Sequence, residues 1–269
     1  MAEIDRGRYQ SDLFAGVRFV SQELLLKPFI WRILDVHVHG LANIEGLDAP
    51  FVVIANHSSH LDAPLIVGAL PRRLTKFLAT GAAADYFYAS KIKSLSTALV
   101  ANTYPIERRG LRTRKGLSKM LLADGVPLLI FPEGTRSRTG AMGPFTPGVA
   151  ALCISHNAPA LPIALVGAFA AWPYGQGHLP RRRPGVHVVI GHPLTPAPGE
   201  IARQFNERMR RTVQQLHDST ARAYGLPTLD DYARAVSLRA ASVPSAVSPT
   251  SPAHPDDDGG APAAGKDTR

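Results

Sequence analysis

A single cysteine, Cys153, in 269 residues excludes an internal disulfide framework and any zinc site built on several thiolates, and it fits a reducing compartment. Long apolar runs are missing too. A membrane-spanning helix needs about 20 mostly apolar residues, and the stretch from Leu13 to Val38 is broken by Arg18, Glu23, Lys27, Pro28, Arg32 and Asp35. The run from Ala158 to Trp172 is shorter and holds Pro159 and Pro162, so a buried strand and its loop suit it better. The first residues carry acids early and lack the apolar core and small-residue cleavage site of a secretory leader, so export is not expected. No internal repeat is visible. Negative charge is in short supply: 30 Lys and Arg stand against 21 Asp and Glu, a formal charge of +9. The expected partner surface is therefore anionic, whether nucleic acid, phospholipid headgroups or a phosphorylated substrate.

What is present is enough for one large domain, with 45% hydrophobic residues. From residue 50 onward, short β-rich runs alternate with longer helical ones: FVVIAN and DAPLIVGAL, LTKFLATG and ADYFYASKIKSLSTALV, TYPIER and LRTRKGLSKMLLADG, VPLLIFPEG and PGVAALCISHN, then APALPIALVGAF and VHVVIGHPL. This alternation predicts an α/β fold, a mostly parallel or mixed sheet flanked by helices. Ile201, Phe205, Met209, Val213 and Leu216 then recur at helical spacing, and Gly225-Leu-Pro closes that helix. The expected division is an N-terminal segment 1–45, a main domain 46–235 and a disordered tail 236–269, rich in Ser, Pro, Ala, Gly and Asp. In the first segment, Leu13, Val17, Val20, Leu24, Leu25, Phe29, Trp31, Ile33 and Leu34 predict two amphipathic helices separated by Pro28. They read either as a hairpin packed on the core or as an interfacial membrane anchor.

Three stretches concentrate chemistry. NHSSHLD (56–62) follows the first apolar run. As a metal site it would use His57, His60 and Asp62, but no further histidine stands at a recognisable ligand spacing, so no metal is expected. As a helix cap, Ser59 would serve as N-cap with Asp62 reaching back. As a base, His57 would sit in the strand-to-helix turn with Asp62 holding one ring nitrogen, which leaves the other to take a proton. FPEGTRS (131–137) closes another strand with a glycine turn and Arg136, an arrangement suited to an anion or equally to an ordinary surface turn. TYPIER (103–108) closes a third, and Arg108 points to the same edge, ahead of Arg112, Arg114, Lys115 and Lys119.

Together these motifs resemble the glycerolipid acyltransferase family, the 1-acylglycerol-3-phosphate acyltransferases and their relatives. NHSSHLD is similar to that family's Asn-His-x-x-x-x-Asp motif, TYPIER to its second, FPEGTRS to its third and APALPIALVG (158–167) to its fourth, in family order. The resemblance implies His57 as general base with Asp62 orienting it. It also implies Arg108 on the acceptor phosphate, Glu133, Gly134, Thr135 and Arg136 completing the acceptor pocket, and Pro162 shaping the acyl side. One departure is that the second motif usually opens with glycine, where this chain has Asn102. The implied reaction moves an acyl chain from acyl-CoA or acyl-carrier protein to the hydroxyl of a lysophospholipid acceptor, 1-acylglycerol 3-phosphate, without a cofactor. Its expected setting is peripheral, on the cytoplasmic face of a membrane. Glycerol 3-phosphate, another lysophospholipid or a glycolipid are the alternative acceptors. Nucleic-acid binding is the non-enzyme alternative, and the absence of interleaved aromatics in the Arg108–Lys119 cluster sets nucleic acid aside.

Overall fold

The computed structural model describes residues 6–83, 102–106, 116–173, 175–176, 178–180 and 182–241. Near the N-terminus, α1 (Asp12–Phe19), a π-helical stretch (Val20–Leu26) and α2 (Lys27–Ile33) run on without interruption. The expected break at Pro28 does not occur. Pro28 lies in the first turn of α2, where a missing N–H and a fixed φ are tolerated, and the pitch changes one turn earlier, in the wider π-helical turns.

The remaining elements are β1 (Asp35–His39), β2 (Val52–Ala55), α3 (Asp62–Ala69), α4 (Arg72–Thr75), β3 (Ala79–Ala83), β4 (Thr103–Ile106), α5 (Leu117–Ala123) and β5 (Leu128–Ile130). After them come α6 (Gly148–His156), β6 (Ala160–Val166), α7 (Ala168–Ala171), β7 (Gly185–Ile190), α8 (Ala202–Ala223) and α9 (Leu229–Ala241). The strands form one sheet in the order β1-β7-β6-β2-β5-β3-β4. Every neighbouring pair is parallel except β6 with β7, so the sheet is mixed.

Strand period two sorts side chains to opposite faces. On β2, Val52 and Ile54 join one core with Leu128, Ile130, Leu121, Cys153, Phe205, Met209 and Val213, beneath α5, α6 and α8. Phe51, Val53 and Ala55 join the other with Leu129, Leu161, Ile163, Leu65, Ile66 and Ile30, beneath α2, α3 and α4. All seven residues of β6 are buried, the continuous apolar run expected of an interior strand covered on both faces. The inner stripe of α8 is as the spacing predicts except at Ile201, the exposed N-cap residue.

The domain limits shift at both ends. The sheet starts with β1, upstream of residue 46, because Val36 and Val38 pack on the core while β1 pairs residue for residue with β7 from Asp35↔Gly185 to His39↔Val189. Its DVHVH sequence hides this, since one face is histidine and aspartate. At the other end α9 runs past residue 235 to Ala241, anchored where Asp218 of α8 accepts the N–H of Leu229 at 2.8 Å. The helical stretch expected over 84–100 and the tail from 242 onward lie outside the described residues.

Candidate active site

The parallel strands β2, β5, β3 and β4 point the same way, so the turns after them gather at one edge, the carboxyl edge where open α/β sheets bind ligands. Asn56 opens the turn after β2. It is buried, and its amide pairs with the main chain of β6: Nδ2 donates to the Leu165 carbonyl at 3.0 Å, and Oδ1 accepts from the Leu165 N–H at 2.8 Å. The turn is thereby held in the plane of the sheet.

His57 follows, four-fifths buried, and its Nδ1 lies 2.7 Å from Oδ2 of Asp62. The same oxygen accepts the N–H groups of Ser58 at 2.6 Å and Ser59 at 2.8 Å. An oxygen taking three donors behaves as a carboxylate, so Nδ1 of His57 carries its proton and Nε2 keeps its lone pair. Asp62 is fully buried, and its other oxygen, Oδ1, meets no donor among the described residues. The capping expectation holds in part: Asp62 does reach back to the Ser59 N–H, but Ser59 Oγ accepts from Leu61 at 3.3 Å, and Leu61, without a side-chain cap, is the N-cap of α3.

The turn after β5 clamps the histidine. The Phe131 ring stacks on the His57 imidazole at 3.9 Å and 15°. The His57 N–H donates to Oε1 of Glu133 at 2.7 Å, and the His57 carbonyl accepts from the Ser137 N–H at 2.7 Å. Glu133 Oε2 accepts from the Gly143 N–H, also at 2.7 Å. Burial pushes the Glu133 carboxyl up to about 7, with the charge of Asp62 adding to that and the two N–H donors opposing it. Both of its oxygens are thus engaged by the chain, and Glu133 braces the turn that carries His57.

Gly134 adopts φ +72°, the left-handed region that glycine enters freely, and this turns the chain so that Thr135 stands exposed. Arg136 reaches back toward NHSSHLD, and its Nη1 contacts both ring nitrogens of His60, lying 3.0 Å from Nε2. Burial, then the Arg136 charge, holds the His60 imidazole below its ordinary range. The two histidines of NHSSHLD therefore do not converge on one point: His57 faces Asp62, His60 faces Arg136. Among the described residues no group of three or more His, Cys, Asp or Glu is arranged to hold a metal ion. Cys153 is not a nucleophile candidate either, being fully buried in α6 with its thiol pushed up to about 12.

One expected site residue falls elsewhere. Pro162 is buried mid-strand in β6, in register with Ile54, about 10 Å upstream of His57 along the sheet. It sits where regular pairing with β7 ends at Ile163↔Ile190, the position at which a strand loses least by lacking an N–H. Arg108 lies outside the described residues, as do Arg112, Arg114 and Lys115. Asn102, the departure from the second motif, has φ +48°. Asn is among the few non-glycine residues that tolerate this conformation, so the backbone a glycine would give is kept, while Nδ2 donates to the Phe77 carbonyl at 3.2 Å.

Asn56, Phe131, Ser137, Gly143 and His60 were not expected in the site. The first three and His60 stand inside the quoted motifs; for Gly143 the sequence carries no signal.

The acyltransferase family model matches residues 35–166, from β1 to the end of β6. The 1-acyl-sn-glycerol-3-phosphate acyltransferase of Pseudomonas aeruginosa is 30% identical over 185 residues, 68% of this chain and 68% of that protein. The chloroplastic enzyme of that name, BAT2, from Brassica napus is 29% identical over 175 residues, 61% of this chain and 46% of that protein. Against BAT2 and its counterparts from Arabidopsis thaliana and Chlamydomonas reinhardtii, the chain spans about half their length. The crystal structure of the 1-acyl-sn-glycerophosphate (LPA) acyltransferase PlsC from Thermotoga maritima matches with a TM-score of 0.57 at 25% identity, covering 80% of this chain and 82% of that one.

Proposed function

The chain belongs to the glycerolipid acyltransferase family, and from that premise we propose that it transfers an acyl chain from acyl-CoA or acyl-carrier protein to the hydroxyl of 1-acylglycerol 3-phosphate. The observation that carries the proposal is the His57–Asp62 pair: a buried carboxylate holds Nδ1 at 2.7 Å, which supports the reading of Nε2 as the base. In the proposed reaction the acceptor oxygen attacks the thioester carbonyl as Nε2 takes its proton. The tetrahedral intermediate then collapses, and the departing thiolate takes the proton back from the imidazolium. No acyl-enzyme and no cofactor enter this scheme. Proton transfer of this kind supplies about 10²- to 10⁴-fold in rate, so the rest falls to holding donor and acceptor together and to stabilising the oxyanion.

Arg136 is the proposed cation for the acceptor phosphate, with Arg108 alongside it on the strength of the family motif. A peripheral position on the cytoplasmic face of a membrane completes the proposal. Its support is the outward side of the N-terminal helices, where Leu13, Leu24 and Leu25 are 75%, 61% and 66% exposed beside exposed Phe14, Val17, Val20 and Phe29. No helix among the described residues is long and apolar enough to cross a membrane. The test is a radiolabelled acyl-transfer assay of purified protein against a panel of lysophospholipids and glycerol 3-phosphate. Transfer to 1-acylglycerol 3-phosphate is expected, and its absence with every acceptor overturns the proposal.

A further inference from the structure

Arg18, at the C-terminal end of α1, exposes only 4% of its surface. Its one hydrogen bond runs from Nη2 to the Lys76 carbonyl at 3.3 Å, and no carboxylate pairs with it among the described residues. The groups that face it carry its own sign. After burial itself, the charges of Arg72 and Arg8 are what hold its guanidinium down to about 10. Arg72 comes from α4, donating to the Ala15 carbonyl at 3.2 Å with its guanidinium 4.2 Å above the Phe19 ring. Arg8 is tied to the Tyr9 hydroxyl and the Thr103 carbonyl. Asp12, on the same helix, pairs with the Lys76 ammonium at 2.8 Å. A buried guanidinium without a counter-charge is costly, and folds retain buried charges where an opposite charge or an ion completes them.

What completes this one is indicated by its surroundings. Phe19, under Arg72, is itself part of the exposed apolar side of the N-terminal helices, with Phe14, Val17 and Val20. An anion attached to hydrocarbon satisfies both features at once. We propose that Arg18 and Arg72, with Lys76 at the rim, form a binding site for the phosphate of an anionic phospholipid headgroup whose chains lie along that apolar side. The proposal rests on the peripheral-membrane reading above, and it adds a ligand class and an address well away from His57.

The experiment is sedimentation of the full chain with vesicles of phosphatidylcholine alone and of phosphatidylcholine mixed with phosphatidylglycerol, with and without inorganic phosphate. The wild type is expected to prefer the phosphatidylglycerol vesicles. Arg18→Gln and Arg72→Gln should each weaken that preference about fivefold, with turnover on detergent-dispersed substrate unchanged, whereas Arg211→Gln on the distant surface of α8 should not alter it. Arg18→Met guards against a folding artefact: it removes an uncompensated buried charge, so the lipid-free protein should melt no lower than wild type while still losing the preference. Should Arg18 variants fail to fold, Arg72→Gln carries the test. Equal binding of both vesicle types by the wild type overturns the headgroup site and leaves the membrane reading standing; binding to neither overturns both. If inorganic phosphate raises the melting temperature of the wild type alone and the variants keep the vesicle preference, the site takes a free anion and the lipid assignment is wrong.

Discussion

His57 Nδ1 and Asp62 Oδ2 stand 2.7 Å apart across the turn that joins β2 to α3, and that oxygen also gathers two backbone N–H groups. One carboxylate thus sets both the tautomer of His57 and the shape of the turn. His57→Ala is expected to lower turnover by about 10²- to 10⁴-fold with the fold intact. Asp62→Asn should lower turnover comparably while costing little stability, because an amide oxygen still accepts the backbone donors. Asp62→Ala should also destabilise, by about 1–3 kcal/mol for each N–H left unpaired. Near-normal turnover of His57→Ala in the acyl-transfer assay would remove the base assignment.

Glu133 is expected to behave as a positioning residue. In Glu133→Gln one amide hydrogen must confront either the His57 or the Gly143 N–H, so His57 shifts and kcat falls, on the order of 10²-fold for a displacement near 1 Å, with KM for the acceptor little changed. A rise confined to KM would return Glu133 to the acceptor pocket. The pH signature is separate. The folded-state pKa is raised from 4.5 to about 7, so the folded protein holds this proton more tightly than the unfolded chain does. Stability from this group is full below pH 4.5 and is lost as pH climbs toward about 7. Melting curves across that window should slope downward in the wild type and more weakly in Glu133→Gln.

The site was legible where chemistry is local. Strand, turn and helix start lie close together around NHSSHLD, and strand and turn adjoin in FPEGTRS, so the edge on which His57, Glu133 and Arg136 gather could be read from hydrophobic runs and turn residues. What could not be read depends on partners far along the chain. β1 pairs with β7 some 150 residues away, and the face that looked polar packs His37 and His39 against His187. The burial of Arg18 has no local signal, since its hydrogen-bond partner, the Lys76 carbonyl, lies 58 residues along the chain. Pro162 belongs by its motif to the site and by strand register to the core.

Asn102 tests whether a motif departure matters. With φ at +48°, Asn102→Gly should keep the turn and lose the side-chain hydrogen bonds to the Phe77 and Tyr9 carbonyls, whereas Asn102→Ala should cost about 1 kcal/mol more through left-handed strain. Urea unfolding of the pair checks this, and equal stability would mean that the conformation relaxes elsewhere.

Leu24 and Leu25 test the membrane reading without cutting the chain. Deleting the first 40 residues would remove β1 and the buried side chains of Ile30 and Leu34, and so would confound binding with unfolding. Leu24→Asp and Leu25→Asp alter positions that are 61% and 66% exposed, so the melting temperature should hold. Burying a leucine side chain contributes about 1.5–3 kcal/mol, and each substitution should weaken vesicle binding by at least about tenfold. Unchanged binding would move the contact to another surface.

The two histidines of NHSSHLD should separate in kinetics as they do in space. His57 meets a carboxylate and His60 meets Arg136, so one is suited to move a proton and the other to hold a guanidinium in place for an anionic acceptor. His60→Ala is expected to raise KM for a phosphorylated acceptor about tenfold, the equivalent of ~1.4 kcal/mol, and to leave kcat near wild type, while His57→Ala does the reverse. The His60 pKa is lowered from 6.5, so proton uptake is weaker in the folded state than in the unfolded chain and acid below that value works against the fold. His60→Ala should flatten this part of the pH–stability curve. If His60→Ala instead abolished turnover with KM unchanged, the base would be on the wrong histidine, and the Asp62 contact would have to be read as purely structural.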